Sequence, residues 1–267
     1  MKFTFQTKGR KARGQIEAPL LFVSPCLTLN RKRDVKMDPK KLFYDDRLKD
    51  FCIFCGGEAN TVDHIPSKVF LHKPYPQDLH CVNACVSCNN GFSKDEEYMA
   101  CFLHCVIKGT TEPEKLTDKR IAKSLKRNER LRMRIEKSAK FVNGDIIWYP
   151  DIERIKNVVL KIAIGHIYFE LAECIREQPE IFEIFPLTMV GYDNLARFEN
   201  ESKSVVSIWP EIGSRAYLRA LGELIDTNLV EGWFIVQKGL YRYSVNYYPQ
   251  LEVKMVFNEY LGCRLVW

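Results

Sequence analysis

The stretch Cys52-Ile53-Phe54-Cys55 is matched further along the chain by Cys85-Val86-Ser87-Cys88. Two Cys-x-x-Cys pairs can bring four thiolates around one tetrahedral ion, and a chain that closes on such an ion has few ways to run between the pairs. Gly56 and Gly57 follow the first pair and supply the turn that lets backbone wrap the metal. Cys81 is an alternative ligand, because Cys81-x-x-x-Cys85 also has metal spacing. The chain carries ten cysteines. Four of them paired as knuckles suit metal binding in a reducing compartment better than a disulfide framework. The expected ion is Zn2+ in a closed, structural site.

Between the knuckles, Thr61-Val62-Asp63-His64-Ile65 reads as a short strand that ends at Pro66. Adjacent residues of a regular strand point to opposite faces, so Asp63 and His64 can serve different partners, a metal and a water. Asp78–Val82 reads as a second strand. Asn89 directly follows the last cysteine. Its amide oxygen is a hard neutral donor suited to Mg2+ or Mn2+, and it is equally at home in a cap or turn. Phe92–Ile107 reads as a helix, with Ser93 as N-cap, Asp95, Glu96 and Glu97 in the first turn, and Gly109 as the stop. A start nearer Cys85 is the alternative, with Gly91 as an irregularity. An unbroken helix would put Glu96 on the same face as Asn89.

Taken together, these residues resemble the HNH endonuclease superfamily, with its ββα-metal fold. The resemblance rests on Cys52-Ile53-Phe54-Cys55, Asp63-His64-Ile65-Pro66, Asp78–Val82 and Cys85-Val86-Ser87-Cys88-Asn89, about a quarter of the chain. The Asp-His and Asn form is similar to the phage junction-resolving branch. The stretch from Tyr75-Pro76 to Tyr98, with Asp95-Glu96-Glu97-Tyr98 in its helix, is similar to a bacterial group of HNH proteins. The resemblance implies metal-dependent hydrolysis of DNA phosphodiesters. His64 would be the general base, Asp63 and Asn89 would hold a catalytic Mg2+ or Mn2+, Glu96 would be an added ligand, and Cys52, Cys55, Cys85 and Cys88 would hold structural Zn2+. Anti-phage defence is a role known within the family. One departure is Ser93, a poor metal ligand where the family often has His.

Charge is unevenly spread. The net charge is +6, yet residues 1–40 hold ten Lys/Arg against three Asp/Glu, and residues 115–140 hold eleven against three. Such concentrated basic segments suit a polyanion, most simply nucleic acid, although each would also serve as a solvated face. Residues 115–138 read as one amphipathic helix, with Ile121, Leu125, Asn128, Leu131 and Ile135 on one side. Lys119, Arg120, Lys123, Lys126, Arg127, Arg130, Arg132 and Arg134 would then track a phosphate backbone.

The expected class is α+β, in four parts. A basic arm spans 1–39, a zinc-knuckle nuclease module 40–110, and a basic helix with a connector and an Asn143-Gly144-Asp145 turn 111–150. A C-terminal α+β domain spans 151–267, with a buried helix over 153–176 and mostly antiparallel strands. Its strands are expected at Leu187–Tyr192, Ser204–Trp209, Trp233–Val236, Tyr241–Tyr247 and Val253–Phe257, with a helix near Ser214–Leu224. That domain has no recognisable motif and would bind a protein partner or a second copy of the chain. No apolar run is long enough for a membrane span. The run Ala18–Pro25 is short and broken by two prolines, unlike a signal peptide, so the expected address is cytoplasmic. The competing expectation is a non-catalytic zinc module that binds nucleic acid or protein.

Overall fold

The computed structural model describes residues 5–6, 50–200 and 209–267. The arm expected over 1–39, apart from 5–6, and residues 204–208 of the strand expected at Ser204–Trp209 lie outside these.

Thr61–Ile65 forms strand β2 and His80–Ala84 forms β3. They pair antiparallel, with Asp63 opposite Val82 and His64 opposite Cys81. The alternation expected of a half-buried strand holds: Asp63 and Ile65 are buried, while Val62 is exposed and His64 half-buried. Helix α1 then runs over Val86–Lys108.

This start corrects the expected cap at Ser93. The knuckle supplies the caps instead. The Cys88 amide donates to Cys85 Sγ at 3.3 Å, and the Val86 amide donates to Asn60 Oδ1 at 3.0 Å. Gly91 therefore lies inside the helix, at an intrinsic cost of about 1 kcal/mol, and Ser93 donates its hydroxyl to Asn90 O. Asp95, Glu96 and Glu97 sit mid-helix and not in its first turn. Gly109 ends the helix in the left-handed conformation, φ 68°.

The basic segment is two helices, α2 over Lys119–Arg127 and α3 over Glu129–Lys137, in place of the single one expected. Asn128 makes the break. Its amide closes α2 on Ser124 O, and its side chain accepts from the Leu131 amide to open α3. A residue read as part of an apolar stripe is thus a cap. Ile121, Leu125, Leu131 and Ile135 are buried. The segment expected as connector is a hairpin of β4, Ala139–Val142, and β5, Asp145–Trp148. Asn143-Gly144 turns it with both φ positive, at 51° and 88°, the backbone a two-residue hairpin favours. Strand β1, Phe5–Gln6, pairs with β5.

Helix α4, Ile152–Leu171, is buried along most of its length. It lies against β2 and β3, and against a six-stranded sheet. The sheet comprises β6, Ile181–Pro186; β7, Leu229–Val230; β8, Trp233–Gln237; β9, Tyr241–Asn246; β10, Glu252–Phe257; and β11, Leu261–Val266. Its order is β6-β11-β10-β9-β8-β7, all antiparallel. The strand expected at Leu187–Tyr192 is a 3-10 turn, Leu187–Met189, leading into α5, Tyr192–Asn200. The strand itself is β6, just before. Ser214 caps α6, Arg215–Ala220.

One buried apolar cluster reaches from Ile53 through α1 and α4 to Leu265. At Gly165, α4 comes so close to β2 that a Cβ would sit 2.6 Å from Ile65 Cδ1. Among the described residues no helix is long and apolar enough to cross a membrane.

Candidate metal centre and the Asp63–His64 hairpin

Cys52, Cys55, Cys85 and Cys88 converge, with all four Sγ atoms within 4.8 Å of one another. The first knuckle is shaped by backbone bonds. The Cys52 amide donates to Gly57 O at 2.7 Å and the Gly56 amide to Cys52 O at 2.8 Å. Gly56 has φ 75°, and a Cβ there would collide with the Arg176 guanidinium. The second knuckle is the first turn of α1. The Ile53 amide donates to Asn83 O at 3.1 Å and ties the first knuckle to β3.

The dimensions fit zinc. Four sulfurs about 2.3 Å from a central ion are about 3.8 Å apart along each tetrahedral edge, and Cys55 Sγ lies 3.8 Å from Cys85 Sγ. The backbone amide of Cys88, then its side chain, hold the Cys85 thiol down to about 7. That shift favours the thiolate, the form a metal takes. Burial pushes the Cys88 thiol up. Cys81 stands outside the cluster and donates to Leu79 O, so the alternative ligand is not among the four.

Asp63 points inward. Its Oδ2 lies 2.7 Å from Lys161 Nζ, and the same ammonium meets Glu96 Oε1 and, at 3.1 Å, Ser67 Oγ. Burial raises the pKa of Asp63, and the Lys161 charge opposes that rise. The unbroken α1 thus brings Glu96 to Asp63 through a shared cation. Asn89 Nδ2 donates to Thr61 Oγ1 at 3.3 Å and to Val62 O at 3.4 Å. This fastens the start of α1 to β2, and no hydrogen bond joins Asn89 to Asp63. His64 occupies the less buried face of β2, opposite Cys81.

The neighbouring carboxylates tie α1 to its surroundings. Asp95 accepts from Arg154 Nε at 2.6 Å and Asn157 Nδ2 at 2.7 Å, both on α4. Glu97 accepts from the Ser124 hydroxyl on α2 and lies 3.6 Å from Arg127. Sequence reasoning missed Lys161. Its signal was a lone lysine within the run Val158-Val159-Leu160-Lys161-Ile162-Ala163-Ile164.

On the basic helices, Lys119, Arg120, Lys123, Lys126, Arg127, Arg130 and Arg134 are exposed, and Arg132 is half-buried. Arg120 grips Asp118 at 2.9 Å. A cleft of about 420 Å³ opens between α1 and α2, lined by Lys68, Tyr75, Lys94, Arg120, Ser124 and Arg127 among others.

What fold and site define is a class: a mixed α+β protein with antiparallel sheets and a four-cysteine cluster compatible with zinc. Comparison of the chain with protein-family models, with curated proteins and with solved structures finds no match in any of the three.

Proposed function

We propose that this protein is a metal-dependent nuclease of the HNH type, acting on DNA phosphodiesters. The observation that carries the reading is the order and packing of the parts. An antiparallel hairpin bears Asp63-His64 and is followed at once by a helix, and a four-cysteine cluster fastens that helix's first turn against the hairpin. Zinc is scaffold in this reading. It fixes the start of α1, and with it Asn89, beside β2.

Asp63 and Glu96 already converge on one positive charge. These donors fit a cation, and Asn89 lies about two turns before Glu96 on the same helix. They would hold Mg2+ or Mn2+, which neutralises phosphate charge when bound. His64, on the opposite face of β2, takes the proton from the attacking water, a contribution of about 10²–10⁴-fold in rate. The exposed cations of α2 and α3 bind phosphates without reading sequence, so affinity falls steeply with salt.

A second reading is favoured by one observation. The ammonium of Lys161 occupies the position between Asp63 and Glu96, and a non-catalytic zinc module that binds nucleic acid needs nothing more there. The two readings separate in one assay. Duplex DNA, single-stranded DNA and RNA are incubated with protein and Mg2+ or Mn2+, beside His64→Ala. The nuclease reading expects cleavage that the variant loses, with binding retained. Equal binding and no product from either protein would establish the second reading.

A further inference from the structure

Three side chains from separate segments meet away from the cysteine cluster. His72 follows the 3-10 turn Lys68–Phe70, His104 lies on α1, and Asp118 caps α2. His72 Nε2 is 3.0 Å from Asp118 Oδ2, and His104 Nε2 is 4.0 Å from the same oxygen. All three donor atoms lie within 4.8 Å of one another. A tetrahedral ion with bonds of about 2.0–2.1 Å to nitrogen and oxygen has donor-to-donor edges of about 3.3 Å. The two edges here fall either side of that value.

A hydrogen bond from His72 to Asp118 would explain the shorter distance. It leaves His104 unexplained, because its Nε2 lies close to that oxygen yet outside hydrogen-bonding distance. The lone pairs of Asp118 can be counted. Oδ1 accepts from the Arg120 amide at 2.8 Å, from the Ile121 amide at 3.4 Å and from Arg120 Nε at 3.4 Å, and Oδ2 accepts from Arg120 Nη2 at 2.9 Å. Each carboxylate oxygen offers about two acceptor positions, so one remains on Oδ2, the oxygen beside the two imidazoles.

The backbone of His72 is also held. Its amide donates to Gln237 Oε1 at 2.7 Å, and Gln237 Nε2 donates back to its carbonyl at 3.0 Å. An exposed loop residue is thus clamped to β8 from both of its backbone polar groups. That clamp limits the freedom His72 must give up to bind an ion.

We propose that His72, His104 and Asp118 bind one divalent transition-metal ion of the zinc class, separate from the four-cysteine site. Two imidazoles and a carboxylate are donors suited to zinc, and three protein ligands leave a fourth position for water. The side chain of His72 is 46% exposed, so that position faces solvent. The ion would lock the 71–79 loop to α1 and to the start of the basic helix α2. The site stands whether or not the protein is a nuclease.

The test is metal content of the full chain, loaded with Zn2+ and freed of excess, beside Asp118→Asn and His72→Ala. Asn retains the ability to cap α2, and His72 is a half-exposed side chain, so both variants should fold. Two zinc ions per chain are expected in the wild type and one in each variant. Cobalt loading adds a check on folding. The intense thiolate band of the cysteine site should persist in all three proteins, while the weaker bands of a nitrogen and oxygen site should vanish in the variants. One zinc per chain in the wild type would overturn the proposal, and so would two ions retained by both variants.

Discussion

Replacing Lys161 with Met keeps most of the side-chain volume and removes the charge. Lys161 is 2% exposed and pairs with both Asp63 and Glu96. At the 2.7 Å separation from Asp63, the gross attraction is about 6 kcal/mol for an effective dielectric of about 20. Taking the ammonium out of water offsets much of this in the intact protein. Removing only the ammonium strands two carboxylates, and breaking a buried pair in this way costs about 3–5 kcal/mol. For a chain of this size that is a fall in melting temperature of roughly 6–20 °C.

Urea and thermal unfolding at neutral pH measure the loss. Acidification should shrink it, because stranded carboxylates take up protons more readily than they do in the unfolded chain. Saturating Mg2+ should raise the variant's melting temperature more than the wild type's, since Asp63 and Glu96 then accept the ion in place of Lys161. A loss below about 1 kcal/mol, the scale of an exposed ion pair, would refute the reasoning. An equal Mg2+ response in both proteins would refute the view that these carboxylates form a cation site.

Other perturbations follow from the same geometry. Cys88→Ser should cost one zinc per chain and lower the melting temperature, because it takes a ligand from the turn that starts α1; elemental analysis and calorimetry check both. Gly165→Ala should destabilise by about 1–3 kcal/mol through overpacking, since its Cβ would lie 2.6 Å from Ile65 Cδ1, and Ile65→Val in the same chain should recover part of the loss. His80 stacks on Phe169 at 3.6 Å, and burial first, then Arg215, depresses its pKa from 6.5 to about 3. The unfolded chain therefore binds this proton first. Stability is full above pH 6.5 and falls towards pH 3, by up to roughly 5 kcal/mol; urea titrations across that range should show a flatter profile for His80→Phe.

The cysteine cluster was legible in the sequence because a knuckle is local: ligand spacing and two glycines describe it within six residues. Strands β2, β8, β9 and β10 were legible for a related reason, since alternation and β-branched content act over a few positions. Errors arose where two local signals competed. At Asn128 the apolar spacing masked a cap, and at Ser93 an apparent cap masked a helix already started by Cys85. The Asn143-Gly144 turn was recognised, but the strands on either side of it were not. That Lys161 and Glu96 share one site with Asp63 was beyond local reading. Their meeting with Asp63 depends on α4 crossing both α1 and β2, a tertiary fact that spacing cannot express. The His72, His104 and Asp118 cluster has the same origin, for its members lie on a loop, a helix and a helix cap.

The nuclease reading stands most directly on His64. Initial rates of cleavage of one end-labelled DNA duplex, with saturating Mg2+ or Mn2+, should be compared for wild type and His64→Ala at matched zinc content. The account predicts a wild-type rate at least about 10²-fold above the variant's, with both proteins binding the duplex equally. Equal rates, or no cleavage by either protein, would contradict it.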